Sequence, residues 1–553
     1  MSGSTSGITI RPMGDRAVLL DLAAATAAGG PTVPGTVAAT LRSDSGPLTG
    51  AGIVDVVPAA STVLVRFASG PGTRPPAPDM SEVLLARALA AVAAGQPHPA
   101  SVPAVEVSAD ELIVPVRYDG PDLAEVAELT GLTVDEVVAA HSGTVWTAAF
   151  VGFAPGFAYL TGGDPRLQVP RRTQSRPSIP AGSVALAGEW SAVYPRESPG
   201  GWQLIGATDL TLWDAAAEPP ARIRPGHRVR FVSSTHPIAV ASVASSEKAS
   251  ATTAVGSGDG PVLVVVRPGP MALVQDAGRH GRAADGVGPS GPADRQAHAR
   301  ANELVGNDPG AAAVECTLGG LTVRADGADL LVAVTGAVTP ATVDGADAPV
   351  EEPFFLPDGA TLRLRVPQTG LRTYLAVRGT FDTAEVLGSR STDTLAGLGP
   401  APLTAGSRLA VGDPGERSAV ASTAAAPMPP GVGTAVLPVC FGPRDHWFTE
   451  PTALLHGEWV VSPQSNRVAL RLDRPVDAAP DEVPPLTRSR TGELPSEGLV
   501  RGAIQVPPSG QPVLFLADHP LTGGYPVIAV VLDADVDRAG QLRPGQRLRF
   551  TTD

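Results

Sequence analysis

The chain has 553 residues, a formal net charge of −14, 43% apolar and 17% charged side chains, 62 glycines and 57 prolines. That length holds about three or four domains with sizeable cores, and that charge excludes a nucleic-acid binder, which needs a basic face. Lys248 is the only lysine, and Cys316 and Cys440 are the only cysteines, with no Cys-x-x-Cys pair; a cysteine zinc site and a disulfide framework are excluded.

Residues 8–20 alternate apolar and polar about a Gly-Asp turn, as a hairpin does, and 53–67 repeat the strand signal. Met80 to Ala94 has helical spacing, which gives a small α+β domain over 8–104 ending in a Pro/Ala-rich segment. No run of about twenty apolar residues follows anywhere, and the opening MSGSTSG has neither a charged region nor an apolar one. A soluble, cytoplasmic protein with no membrane partner is expected.

A second domain, 105–233, begins with a strand over Glu111 to Tyr118. Two helices occupy 121–140, the first closing on Gly131 and the second opening on Thr133 as N-cap. His141 falls at the end of the second. Residues 141–213 then gather Phe150, Phe153, Phe157, Tyr159, Trp190, Tyr194, Trp202 and Trp213 among closely set glycines and prolines. Such turn-dense loops on a β scaffold build binding sites, or else merely serve a barrel's turns.

A Ser/Ala/Thr-rich linker is expected at 234–260 and a second near 414–433, separating lobes 261–413 and 434–553. RIRPGHRVRF at 222–231 returns as QLRPGQRLRF at 541–550, and Gly200-Gly-Trp-Gln-Leu-Ile205 as Gly523-Gly-Tyr-Pro-Val-Ile528. The coupled pair predicts two related barrels, one closing each half.

GVGPSG at 286–291 formally fits G-x-G-x-x-G, but polar residues precede it and Pro289 sits inside it, so a dinucleotide loop is rejected. The wider run suits an anion better. Asp294 is placed to cap a helix whose free N–H groups would hold a carboxylate or phosphate, and Arg279 could clamp it. A capped turn with a surface arginine is the competing reading.

Phe153-Ala-Pro-Gly-Phe-Ala-Tyr159, Pro180-Ala-Gly-Ser183 and Ser198-Pro-Gly-Gly-Trp202 resemble the B subunit of 5-oxoprolinase, also called the KipI or allophanate-hydrolase subunit 1 family. The second half resembles the C subunit of 5-oxoprolinase, the KipA or allophanate-hydrolase subunit 2 family. The runs that carry this are QDAGR (275–279), GPSGPAD (288–294), ARANELVGN (299–307), VECTLGG (314–320), LAVRG (375–379), LGSRSTDT (387–394), GPRD (442–445), SPQSNR (462–467) and 496–526. Both also resemble the carboxyltransferase region of urea carboxylase. Ala293, Thr380, Arg501 and Val468-Ala469 depart from the pattern.

The resemblance implies a mainly β chain with α+β elements: two cyclophilin-like β-barrel halves and a small N-terminal α+β domain. It implies ATP-dependent opening of 5-oxo-L-proline to L-glutamate together with the separate 5-oxoprolinase A subunit, using ATP and Mg²⁺ held here or with that partner. Alternatives are a biotin-dependent carboxyltransferase acting on urea or a related amide, and a sensor-kinase-binding regulator. With Lys248 in a linker, no covalent biotin is expected on this chain. A small-molecule substrate is expected, no resident metal site is read, and a homo-oligomer stays open.

Candidate acid–base groups are His141, Asp276, Glu315 and Glu497, with His141 first because histidine titrates near neutral pH. Candidate substrate or anion contacts are Pro155, Gly156, Phe157, Tyr159, Pro180, Gly182, Ser198 and Gly201 in the first half. Their counterparts in the second are Arg279, Gly288, Pro289, Ser290, Gly291, Asp294, Arg378, Arg390, Arg467 and Asp518. The active site is expected where the halves meet, with His141 and the Pro155-Gly-Phe157 loop facing Arg279, Ser290 and Asp294.

Overall fold

A computed structural model describes residues 4–5, 7–43, 52–69, 76, 80–95, 111–234, 260–414, 431, 433–476, 483–490 and 492–552. Most of both expected linkers, Lys248 included, lies outside the described residues, as does the segment at 96–104. The protein is mostly β, with two barrel-like sheets and few helices.

The N-terminal sheet runs in the order Ser4–Thr5, Ile8–Pro12, Ala17–Asp21, Thr62–Phe67, Ile53–Pro58. Successive side chains of a strand point to opposite faces. Leu20, Val63 and Val65 pack with Val37, Leu41, Leu84 and Ala88 of the helices Val33–Ser43 and Met80–Gly95. Ala17, Leu19 and Leu64 turn the other way, onto Ala503, Phe515, Val527 and Val530 near the far end of the chain. Both faces being covered, Thr62–Phe67 is buried along its whole length.

The first barrel takes the order Gln203–Ala207, Ser183–Ala187, Trp190–Val193, Ala158–Thr161, Val145–Val151, Arg228–Ser233, Glu111–Val116, and an Arg117–Ala207 bridge brings its ends together. The helices Leu123–Thr130 and Val134–Ser142 pack against it. Gly131 ends the first at φ 68°, and Thr133 and Glu136 cap the second reciprocally.

The last barrel is closed: Ala435–Phe441, Val527–Val531, Ala503–Gln505, Val513–Phe515, Ala469–Asp473, Trp459–Val461, Arg547–Thr551. The sequence echo falls on the same element of each barrel. Arg228–Ser233 runs parallel to Glu111–Val116 and antiparallel to Val145–Val151; Arg547–Thr551 runs parallel to Ala435–Phe441 and antiparallel to Trp459–Val461. Trp146 and Trp459 lie opposite Val229 and Leu548, and each indole donates at 3.0 Å to a carbonyl five residues upstream, His141 O and Leu454 O.

Between the barrels, a six-stranded and a five-stranded sheet enclose a core around Leu263, Val323, Val332 and Leu375. The helix Arg295–Leu304 lays Ala297, Ala301 and Leu304 on the five-stranded sheet beside Ala333 and Tyr374.

Candidate active site

Where the N-terminal sheet, the central sheets and the last barrel meet, they leave a cavity of about 280 Å³. A water's share of liquid volume is about 30 Å³, so the space suits a ligand of amino-acid size. Arg16, Arg66, Phe67 and Ser69 come from the N-terminal sheet; His280, Pro289, Ser290, Pro292, Arg295 and His298 from the centre; Val500, Arg501, His519 and Asp533 from the last lobe. Asp533 and Asp537 pair with Arg295, Asp537 with Arg501, and Asp55 with Arg66.

One wall is fixed by backbone that only particular residues allow. Gly278 sits at φ 91°, and a Cβ there would lie 2.5 Å from the Pro289 carbonyl, which accepts the Arg279 N–H at 2.7 Å. Ser290 itself takes φ 53°, a left-handed conformation uncommon outside glycine. Its Oγ donates to Asp518 Oδ1 at 2.7 Å.

Behind that wall lies a buried ion-pair network. Arg467 donates from Nε and Nη2 to the two oxygens of Asp518, each at 3.0 Å, from Nη1 to Glu315, and from Nη2 to Gly291 O at 2.6 Å. Glu315 also accepts from Ala293 N at 2.9 Å and Tyr374 OH at 2.8 Å. Burial opposes ionisation of both carboxylates, yet Arg467 holds each below its ordinary value.

His519 differs from these paired groups. It is 3% exposed, its Nδ1 lies 2.9 Å from the Pro520 carbonyl, and its Nε2 has no partner. Burial, with the charges of Arg66 and Arg501, pushes its pKa down to about 4, so the ring is neutral near pH 7. The arrangement can hold a small polar molecule beside arginines and a neutral imidazole.

Comparison with known proteins matches residues 8–223 to the carboxyltransferase domain, subdomain C and D, and residues 285–552 to the carboxyltransferase domain, subdomain A and B. The 5-oxoprolinase C subunit of Escherichia coli (strain K12) is 38% identical over 296 residues, covering 52% of this chain and 90% of that protein. The chain belongs to the carboxyltransferase-domain family. The 5-oxoprolinase B subunit of Escherichia coli O157:H7 is 46% identical over 132 residues, 23% of this chain and only 61% of that protein. Urea amidolyase of Saccharomyces cerevisiae is 30% identical over 315 residues, 52% of this chain and 16% of that protein. A crystal structure of TTHA0988 is similar across both parts, with TM-score 0.75 and 33% identity over 94% of this chain and 96% of that one.

Within this carboxyltransferase-domain chain, the expected site residues separate into three groups. Pro289 and Ser290 line the cavity, and Gly288, Gly291, Glu315, Arg467 and Asp518 belong to the wall and the network behind it. Glu315 is 1% exposed and fully paired, which corrects its expected acid–base role to that of a counter-ion.

A second group builds the first barrel. Phe157 and Tyr159 lie in an aromatic cluster with Phe150, Tyr194 and Trp202, the Phe157 and Trp202 rings 5.6 Å apart. Gly156, at φ 73°, would bring a Cβ within 3.0 Å of Trp213, and Pro155 is buried beside it. Exposed Pro180 and half-buried Gly182 form a turn in which Gly182 N donates to Tyr194 O at 2.7 Å. Ser198 pairs with Ile179, and Gly201 O accepts the Arg172 N–H. This loop does meet the second half, through Phe153 N to Thr522 Oγ1 at 3.2 Å and Gly156 N to Asp285 O at 3.0 Å. It does not line the cavity.

The third group is corrected by its surroundings. His141 is fully buried between Trp146 and Phe231, with Nδ1 2.8 Å from Tyr118 OH and Nε2 2.8 Å from Ser191 Oγ; burial pushes its pKa down to about 3. It is a core histidine, not a base. Asp276 accepts from Ser389, Ser391, Gly278 N and Arg390 N, so it ties loops together; burial raises its pKa, but these bonds leave it lowered.

Glu497 is 3% exposed and bound by Arg444, which also reaches Asp21 at 2.7 Å. That pair joins the N-terminal sheet to the last barrel. Arg279 is 1% exposed and donates to the carbonyls of Val386 and Ser391, so it is not a surface residue. Arg378 binds Val305 O, and Arg390 binds Thr383 O and Glu385.

Asp294 does cap its helix, accepting from Ala297 N at 3.0 Å. The neighbouring N–H groups are already taken, Ala293 by Glu315, Asp294 by Tyr374 and Arg295 by Asp537, so this helix start does not fit a phosphate. Among the described residues, no group of three or more His, Cys, Asp or Glu is placed to hold a metal ion.

Sequence reasoning missed Arg66, Arg295, His280, His298 and His519 at the cavity. Arg501 was visible only as a departure from the KipA-type pattern. His519 adjoins Asp518 in a matched run, and a buried His beside a paired Asp was the available signal.

Proposed function

We propose that this chain supplies both the B-subunit and the C-subunit parts of an ATP-dependent 5-oxoprolinase, converting 5-oxo-L-proline to L-glutamate with a separate A subunit. The observation that carries this is the cavity itself: its walls come from the KipI-type N-terminal sheet and from the KipA-type half together. A lactam resists hydrolysis because its nitrogen donates into the carbonyl. ATP, held with the partner, would supply activation of that carbonyl oxygen. The chain's part is to bind the lactam and orient it for attack by a water molecule, with arginine N–H groups facing oxygens that gain negative charge.

The test is reconstitution. The purified chain is mixed with the A subunit, and ATP-dependent glutamate release is measured; release only in the mixture supports the reading, and none under any mixing ratio removes it.

The similarity to urea amidolyase over 52% of the chain favours a second reading, carboxyl transfer to urea or a related amide from biotin on another polypeptide. Bicarbonate-dependent carboxylation with a biotinylated carrier, and no glutamate release, would establish that reading instead.

A further inference from the structure

Opening a lactam with water needs a group that takes the water's proton. His141, Asp276, Glu315 and Glu497 do not line the cavity, so the base has to come from the titratable groups that do. Arg16, Arg66, Arg295 and Arg501 have no acceptor to offer. Asp533 is engaged by Arg295 at 2.8 Å. Three histidines remain. His298 is 2% exposed, with Nε2 3.0 Å from the Gln275 carbonyl, and His519 is 3% exposed, its unpartnered Nε2 buried. Of the three, only His280 is exposed.

His280 follows the strand Met271–Gln275, on the turn that Gly278 shapes at φ 91°. Its Nε2 lies 3.1 Å from the Ala277 carbonyl, which can only accept, so the neutral ring carries its proton there. Nδ1 then holds a lone pair, and among the described residues no group binds it. With Nε2 turned to Ala277, Nδ1 is the nitrogen left for a ligand. The charges about the ring come from both sides of the cavity: Arg66 and Asp55 on the N-terminal sheet, and Asp276 on its own segment. Desolvation by the neighbouring wall, then Arg66, lowers its pKa from 6.5, against the Ala277 carbonyl and the two carboxylates. The ring is therefore neutral, and able to accept a proton, near pH 7.

We infer that His280 is the general base of the ring opening, its Nδ1 taking the proton of the water that attacks the lactam carbonyl carbon. The inference rests on the proposed function, with ATP as co-reactant. One water O–H bond breaks, its proton passes to Nδ1, and the water oxygen bonds to the carbonyl carbon. The ring C–N bond then breaks, its electron pair goes to nitrogen, and that nitrogen takes the proton back from His280. The net change is one water across the C–N bond, and His280 ends as it began.

The experiment uses the full chain mixed with the A subunit, ATP and 5-oxo-L-proline. His280→Ala lowers kcat by about 10²–10⁴-fold, the usual range for a lost general base, with KM changed far less. Added imidazole restores part of that loss and leaves the wild type unaffected. His280→Gln, which keeps a hydrogen-bonding side chain but no base, stays as slow as His280→Ala; melting curves show that both variants fold. Wild-type kcat falls as pH drops below 6.5 and the ring becomes protonated, and His280→Ala lacks that limb. Undiminished turnover in His280→Ala, full turnover in His280→Gln, or a loss that imidazole leaves untouched overturns the inference. An active wild-type mixture indifferent to His280 removes the inference alone. A wild-type mixture that releases no glutamate removes the proposed function and the inference together.

Discussion

Arg467 shows how one residue can decide a wall of the cavity. It is 2% exposed and pairs with both Glu315 and Asp518, Arg372 also facing Glu315 at 3.5 Å, and Asp518 in turn accepts from Ser290. Breaking one partner of a buried ionic network costs about 3–5 kcal/mol, because the remaining charges are left uncompensated. Arg467→Met should therefore lower the urea midpoint strongly. Arg467→Lys should recover little, since one ammonium cannot serve two carboxylates through a fork. A midpoint within error of wild type for Arg467→Met would show that the network contributes nothing. His141 supplies a prediction of the opposite kind. Its folded pKa of about 3 lies below the ordinary value of 6.5, so between those values the unfolded chain binds more protons. Stability from His141 is present above about pH 6.5 and is lost as pH falls towards 3, on the order of 5 kcal/mol in full. His141→Gln should flatten the fall in melting temperature across that window while leaving reconstituted turnover unchanged. A large loss of turnover with unchanged melting would return His141 to the chemistry.

At the scale of elements, the turn that carries Pro289 and Ser290 depends on Gly278. Gly278→Ala places a Cβ against the Pro289 carbonyl at a φ of 91°. The expected result is a lower melting temperature and, on the order of tenfold, weaker ligand binding. Unaltered binding would show that the turn does not shape the site. Elements with strong local rules were legible in the sequence: the Gly131 and Thr133 caps, the Asp294 cap, and the paired closing strands read from RPGHRVRF and RPGQRLRF. The site was legible only where a motif coincided with it, as at Pro289 and Ser290. His141 misled because position after a helix says nothing about the Trp146 and Phe231 rings that bury it. Arg66 and His519 stayed hidden because they lie 453 residues apart and meet only when the N-terminal sheet packs on the last barrel.

That packing governs the whole molecule. Met13, Leu19 and Leu64 are buried against Ala503, Phe515 and Val530, the Arg444 side chain joins Asp21 to Glu497, and Arg224 reaches Asp285 at 2.6 Å. The two halves should therefore stay together without the covalent connection. A chain split near residue 245 and expressed as two pieces should co-purify as a one-to-one complex; separate elution at micromolar concentration would show that the connection alone holds them. The connection raises the effective concentration of one half near the other. Catalysis by the proposed route needs both halves plus the A subunit. The most direct measurement is glutamate formed from 5-oxo-L-proline by the intact chain, with and without that purified partner, in the presence and absence of ATP. The account predicts release only when the chain, its partner and ATP are all present. Release by the chain alone, or none in the complete mixture, would contradict it.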